Sequence, residues 1–422
     1  MAMIRPENEM KDSGIEWVGS IPEDWKVAKN NRLFNISKEI VNENWKDTQL
    51  LSLTKSGIIE KNINEGGGKQ PESFETYQYV EKDDIVLCLF DIDVSAVFSD
   101  RSKYDGMISS AYRVMKCTDA ILPVYAKWWF DAVNIGRYYL IYTKSLRKTI
   151  DTDGFGNILT VVPPLSEQQA IADYLDETCS QIDEIIAEAK ASIDEYKELK
   201  QSVIFEAVTK GLDKNVDMKQ CSVNWLDEIP STWESIRLKY LLTEINNRSE
   251  TGTEQPLSVS QVMGVVPSYM ISVVNPTSSH VGQKVVEPND IVFNKLKAHL
   301  GVFFMSKYHG LVSPDYAVYR TNDKVIPKYL EYLFHTSACI SEFKRYITGV
   351  AEGLMRLYTS DLFNIRICLP NVDEQIKIVE YVDNNVDLFD SLITEKESLI
   401  AYLEAYKKSL IYEVVTGKRR VV

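Results

Sequence analysis

Two stretches of the chain carry apolar residues at helical intervals. Ile171, Leu175, Thr178, Ile182, Ile185, Ala189, Tyr196, Leu199 and Val203 return every three or four residues or multiples of that step, and Ile378, Val382, Phe389, Leu392, Leu399, Leu403, Tyr406 and Leu410 do so again. This spacing predicts two helices, each with one apolar seam, interrupted in the second by Lys396. Pro163 and Pro164 stop the preceding strand, Ser166 is placed to cap with Gln169, and Asp373 is placed to cap after Pro370. Gly211 and Gly417 stand where a C-terminal cap belongs. From Ser166 to Thr209 a helix would run roughly 65 Å at about 1.5 Å per residue, longer than a single globular core needs, so mutual pairing is expected. Elsewhere the pattern shortens. "DDIVLCLF" (83–90) and "NDIVFNKL" (289–296) predict buried strands, and "YAKWWFDAV" (125–133) and "KYLEYLFHTS" (328–337) predict short amphipathic helices.

These elements come in two copies. "GIEWVGSIPEDW" at 14 returns as "VNWLDEIPSTW" at 223, so that Trp17, Ile21, Pro22 and Trp25 match Trp225, Ile229, Pro230 and Trp233. The helical stretch beginning "SEQQAIADYLDET" at 166 is answered without a gap by "DEQIKIVEYVDNN" at 373. It keeps Glu167 with Glu374, Gln168 with Gln375, Tyr174 with Tyr381, Asp183 with Asp390, Ser202 with Ser409 and Thr209 with Thr416. Between these markers "VEKDDIVL" (80–87) answers "VEPNDIVF" (286–293), "KYDGMISSAY" (103–112) answers "KYHGLVSPDY" (307–316), and Pro123 and Tyr125 answer Pro327 and Tyr329. A repeat of this length sets the architecture. It predicts an α+β chain with an N-terminal extension (1–11), a first mixed domain (12–162), a central helix (163–212), a second mixed domain with its lead-in segment (213–368) and a C-terminal helix (369–422).

Composition adds limits. A chain of 422 residues with 45% hydrophobic content suits more than one folded domain. The opening "MAMIRPENEM" lacks a signal peptide's apolar stretch and no run of 18 apolar residues occurs, so a cytoplasmic protein without a membrane role is expected. Six cysteines without a C-x-x-C and four histidines without ligand spacing predict neither a disulfide framework nor a metal site. The net charge of −14 argues against nucleic acid until it is located. Residues 163–212 hold 4 cations against 11 carboxylates, whereas 239–368 hold 13 against 11, which leaves the mixed domains free to carry basic patches.

The W-x-x-x-I-P-x-x-W lead-in, the junction "VVPPLSEQQ" opening a long heptad helix, and the duplication of both resemble the specificity subunits of type I DNA restriction-modification systems. The resemblance runs from about Asp12 to the C-terminus. It departs at the second junction, "CLPNVDEQ", which has a single proline, and at the differing domain ends "TDGFGNIL" and "AEGLMRLYTSDL". It implies two target recognition domains in tandem, each reading half of a bipartite double-stranded DNA site. The two long helices would form an antiparallel coiled coil that spaces them with pseudo-two-fold symmetry. It also implies partners: methyltransferase (modification) subunits, two of them, docked on the helices, with restriction subunits joining that core. On the helices the expected seam and docking positions are Ile171, Leu175, Ile182, Ile185, Tyr196, Leu199, Val382, Phe389, Leu392, Leu399 and Leu403.

Catalytic signatures do not appear. "NPTS" (275–278) lacks the second proline and the aromatic of an adenine methyltransferase motif, no G-x-x-x-x-G-K-[ST] loop occurs, and "DEYKELK" (194–200) lies on a helix face that suits solvated salt bridges. Gly66, Gly67, Gly68 and Lys69 read as a turn, not a phosphate cradle. No cofactor, metal or catalytic residue is expected. DNA contact asks for cations that track phosphates. The candidates are Lys55, Lys69, Arg101, Lys103, Lys144, Arg147 and Lys148 in the first domain, and Lys295, Lys297, His299, Lys307, Lys344, Arg345 and Arg356 in the second. "KSLRK" (144–148) and "EGLMR" (352–356) occupy corresponding places ahead of the helix junctions, and "NKLKAH" (294–299) follows a predicted strand. The rival reading is a duplicated protein-binding adaptor without DNA recognition.

Overall fold

The computed structural model describes residues 3–62, 73–94, 98–143, 147–223, 225–271, 279–348 and 356–421. By its internal contacts the chain divides into two units, residues 1–190 with 397–422 and residues 191–396. Each unit holds one mixed domain together with the beginning or end of each long helix.

In the first unit the apolar run Ile85–Leu87 is a strand buried on both faces. Because side chains alternate along a strand, Ile85 and Leu87 join the core under the helix Pro123–Ile135, while Val86 joins a second core with Leu51, Ile58, Val80 and Ile108. Its sheet runs Ser99–Arg101, Ile85–Leu87, Arg113–Cys117, Phe34–Ser37, antiparallel throughout. A second sheet runs Gly57–Lys61, Leu50–Thr54, Gly106–Ile108, Gln78–Val80. Gly106 is required there: a Cβ would stand 2.4 Å from the Gln49 carbonyl oxygen.

The second unit repeats this plan. Leu242–Ile245, Tyr316–Thr321, Ile291–Asn294 and Phe303–Met305 form its antiparallel sheet. Ile291 and Phe293 face one core and Val292 another. Leu257–Ser260 and Gly264–Pro267 make a hairpin, Lys284–Val286 pairs with Gly310–Val312, and Gly310 would place a Cβ 2.2 Å from the Gln255 carbonyl oxygen. The predicted helix at 328–337 is two helices, Pro327–Phe334 and Ser337–Tyr346. His335 ends the first and the Thr336 hydroxyl caps the second by accepting from the Cys339 amide.

Each domain sits on a short frame. In the first unit Leu159–Val162 pairs with Lys26–Lys29 and Met10–Asp12 with Ser20–Pro22. In the second, Arg366–Leu369 pairs with Glu234–Arg237 and Met218–Gln220 with Glu228–Pro230. Residues 3 and 4, which have no counterpart in the sequence repeat, pair with Arg420 and Arg419.

The long helices are Leu165–Lys210 and Val372–Val415. Their starts differ from expectation. Neither Ser166 nor Asp373 is the cap: the Pro164 carbonyl accepts from the Glu167 and Gln168 amides, and the Asn371 side chain accepts from the Glu374 amide at 3.0 Å. Gly211 and Gly417 close the helices with φ of +75° and +74°. The seam also differs. Ile171, Leu175, Ile182 and Val382 are buried and Tyr196, Phe389, Leu392 and Leu403 half-buried, but Ile185, Leu199 and Leu399 are exposed. The buried line passes through Cys179, Ile182, Ile186, Ala189 and Ile193, and Ile400 takes the position beside Leu399.

Candidate nucleic-acid interface

Several of the residues kept in both copies turn out to be joints between each domain and its helices. In the first unit Glu167, in the first turn of the helix, accepts from the Trp25 indole at 3.2 Å and from Arg5 at 2.8 Å. In the second, Glu374 accepts from Trp233 at 3.0 Å. The Gln168 amide, fully buried, accepts from the Leu122 amide (2.7 Å) and donates to the Pro163 (2.8 Å) and Ala120 (3.1 Å) carbonyls. Gln375 repeats the set with the Ile326 amide (2.8 Å) and the Pro370 and Lys324 carbonyls (both 2.9 Å). The Tyr125 hydroxyl donates to the Val161 and Val415 carbonyls, and that of Tyr329 to the Val208 carbonyl at 2.9 Å. Trp128 donates to Asp176 at 2.9 Å, and Tyr332 to Asp383.

The helices pair within each unit through matching ions. Lys407 reaches Asp183 at 2.6 Å in the first unit, and Lys200 reaches Asp390 at 2.6 Å in the second. Lys200 and Asp183 are the repeat counterparts of Lys407 and Asp390. Tyr196 tilts against Phe389 with ring centroids 6.4 Å apart. Several of these identities are visible in the sequence, but their role is not, because a joint needs both partners in view.

The candidate cations sort by company. In the first domain Lys55 is exposed at the turn between Thr54 and Gly57. That turn abuts the Ser99–Arg101 strand, where the Asp100 carboxylate accepts from the Ile58 amide at 2.7 Å. Arg101 is spent on Asp83 at 3.2 Å, while Lys103 is exposed. Arg147 and Lys148 are exposed on a backbone held to the Asp91 and Ile92 amides, with Arg147 3.7 Å from Asp91. Lys69 and Lys144 lie outside the described residues.

The second domain gathers more of its set. Residues 295–300 form a 3₁₀ turn begun by Asn294, whose side chain accepts from the Leu296 and Lys297 amides at 3.0 and 3.2 Å. The helix Ser337–Tyr346 packs on that turn, and the Lys295 carbonyl accepts from the Leu357 amide at 3.1 Å. The structure thus brings Lys295, Lys297, His299, Lys344, Arg345 and Arg356 onto adjoining segments. Lys297, Lys344, Arg345 and Arg356 are exposed, Arg345 lies 3.1 Å from Glu342, and Lys295 is 3.7 Å from Glu244. His299 Nδ1 is buried without a partner. Lys307 is exposed on a separate turn. Burial drives His335 down to about 4, so it is a neutral ring packed on Phe304.

A search for cations alone passes over the hairpin turn at 261–263. It is the counterpart of the Lys55 turn and presents Val262 at 93% exposure between Gln261 and Met263.

Two α+β domains of one plan, unlike in their outward turns and set on like frames, define a duplicated scaffold. Residues 230–401 match the family described as type I restriction modification DNA specificity domain. The type I restriction enzyme MjaVIII specificity subunit of Methanocaldococcus jannaschii is 24% identical, the match covering 67% of this chain and 70% of that protein. The EcoKI specificity subunit of Escherichia coli K12 is 22% identical over 61% of this chain and 57% of its own length, and the EcoDI subunit of Escherichia coli 20% identical over 95% and 90%. Among solved structures, the HsdS subunit from Thermoanaerobacter tengcongensis superposes with a TM-score of 0.56 at 15% identity, covering 94% of this chain and 98% of that one. A chain solved in work on complex assembly and conformational transition of the type I R-M system gives 0.70 at 14% identity, covering 94% and 99%. The chain is thus similar, in the region 230–401, to the DNA specificity domain and, over most of its length, to the named specificity subunits of type I restriction enzymes.

Proposed function

We propose that each mixed domain reads one half of a bipartite site in duplex DNA, and that the paired helices set the distance between the halves and dock two methyltransferase subunits. The observation that carries this reading is the division of labour in the repeat. Joints are duplicated residue for residue (Glu167 and Glu374, Gln168 and Gln375, Tyr125 and Tyr329), while outward turns such as Lys55 and 261–263 differ. A device that positions two readers alike and lets them read different sequences requires that pattern. The candidate cations supply phosphate contacts, Lys297, Lys344 and Arg356 first because they are exposed together on adjoining segments and no ion pair of the described structure holds them. The chain itself is a non-catalytic recognition subunit, with methyl transfer, and cleavage where restriction subunits join, left to its partners. Linking two weak readers raises the effective concentration of the second at its half-site.

The test is geometric. A heptad inserted in both helices at matched positions adds about 10 Å of rise, equivalent to about 3 base pairs at ~3.4 Å each. Mapping of modified adenines made by the assembled methyltransferase is expected to show unchanged half-sites separated by a longer gap. Altered half-sites at an unchanged gap would overturn the spacing role.

A further inference from the structure

Within the second unit two cysteines face each other. Cys221 directly follows the strand Met218–Gln220, and Cys368 lies in the strand Arg366–Leu369, which leads through Pro370 into the second long helix. Their sulfurs are 3.0 Å apart across 147 residues of sequence, both as free thiols. Cys221 is half-buried and Cys368 fully buried. No third His, Cys, Asp or Glu joins them among the described residues, so the pair has too few ligands for a metal site.

We propose that Cys221 and Cys368 are an oxidation site that closes to a disulfide on exposure to a hydroperoxide. Cys221, reachable from solvent, attacks the peroxide: its sulfur gains the distal oxygen as a sulfenic acid, the O–O bond breaks, and the peroxide leaves as alcohol or water. The Cys368 sulfur then attacks the sulfenic sulfur, the S–O bond breaks, and water departs with the remaining thiol proton. Two thiols have lost two electrons and the peroxide has gained them. Burial pushes the Cys368 thiol up, which slows the second step, and the 3.0 Å approach of the two sulfurs offsets that loss. The Lys219 ammonium, held by the Ser231 and Trp233 carbonyls at 2.7 and 2.6 Å, lies close enough to Cys368 to favour its thiolate.

The repeat shows that the pair is not needed to build the frame. At the corresponding positions the first half has Ser13 and Val161, on strands paired in the same way. The bond would therefore act on one domain only. It would turn residues 222–367, the whole second mixed domain, into a covalently closed loop fastened where the chain leaves one long helix and enters the other. Closing so long a loop restricts the unfolded chain and favours the folded domain.

The same comparison supplies the control variants, Cys221→Ser and Cys368→Val. The full chain is treated with graded hydrogen peroxide under native conditions, alkylated with iodoacetamide and digested with trypsin. The expected result is a linked pair of peptides, 220–237 with 367–377, lighter by two hydrogens than their sum and separated again by dithiothreitol. The thermal midpoint of the second unit should rise in the oxidised wild type and stay unmoved in either variant. Stable sulfenic or sulfinic acid at Cys221 with Cys368 still open to alkylation on unfolding would overturn the proposal, as would peroxide uptake at other cysteines with no 221–368 link. The peptide map uses wild type alone, so it decides the matter even if a variant folds poorly.

Discussion

At the scale of single residues, the two buried glutamines carry the most. Gln375 satisfies one backbone donor and two backbone acceptors with one side chain that is itself wholly buried. Truncation leaves all three groups without a partner, each costing about 1–3 kcal/mol when buried. Gln375→Ala is expected to lose about 3 kcal/mol or more, measured as a lower urea midpoint for the second unit, and Gln168→Ala to do the same in the first. Glutamate should not rescue either position, since a carboxylate keeps the acceptor and gives up both donated bonds. The identity of these residues is plain in the repeat. Their task is not, because the groups they hold lie up to 51 residues away in sequence and belong to turns that only folding brings near.

At the scale of elements, existence and type of the long helices are legible in the sequence and their phase is not. At Ile185–Ile186 and Leu399–Ile400 two apolar residues stand side by side, so a step of three and a step of four from the preceding seam position both land on a hydrophobe. The choice is made further along: Ala189 and Ile193 are buried, and only Ile186 keeps the steps of four and three alternating from Ile182 to Ile193. Leu199 fails for another reason. Its neighbour Lys200 takes the seam, with its stem covered and its amine on Asp390, and apolar periodicity cannot nominate a lysine. The shifted phase gives an expected contrast. Ile186→Ala should cost about 2–4 kcal/mol of stability and Ile185→Ala within about 0.5 kcal/mol, as read by chemical denaturation. Equal losses would put Ile185 back on the seam.

For the molecule as a whole, the acidic total of −14 conceals an uneven distribution. If the second domain follows phosphates with the cations on its adjoining segments, each removed contact lowers affinity for all sequences alike and flattens the salt dependence by about one unit of slope. Lys297→Ala and Arg356→Ala, in the assembled methyltransferase, are expected to weaken binding in this uniform way. A substitution at Gln261 should instead change which sequence is preferred. Duplex binding measured across a salt series on matched and mismatched sites separates the two effects. Which side chains meet bases is the least legible layer, since surface charge looks the same in sequence whether it faces solvent or phosphate, and Lys69 and Lys144 lie outside the described residues.

The Tyr125 and Tyr329 hydroxyls end on the carbonyls of Val415 and Val208, and the glutamines likewise grip only main chain. A carbonyl is supplied by any amino acid. A foreign head bearing the tyrosine would find these sockets unchanged, and only the donors that Trp128 and Tyr332 offer to Asp176 and Asp383 would have to be matched by its own side chains.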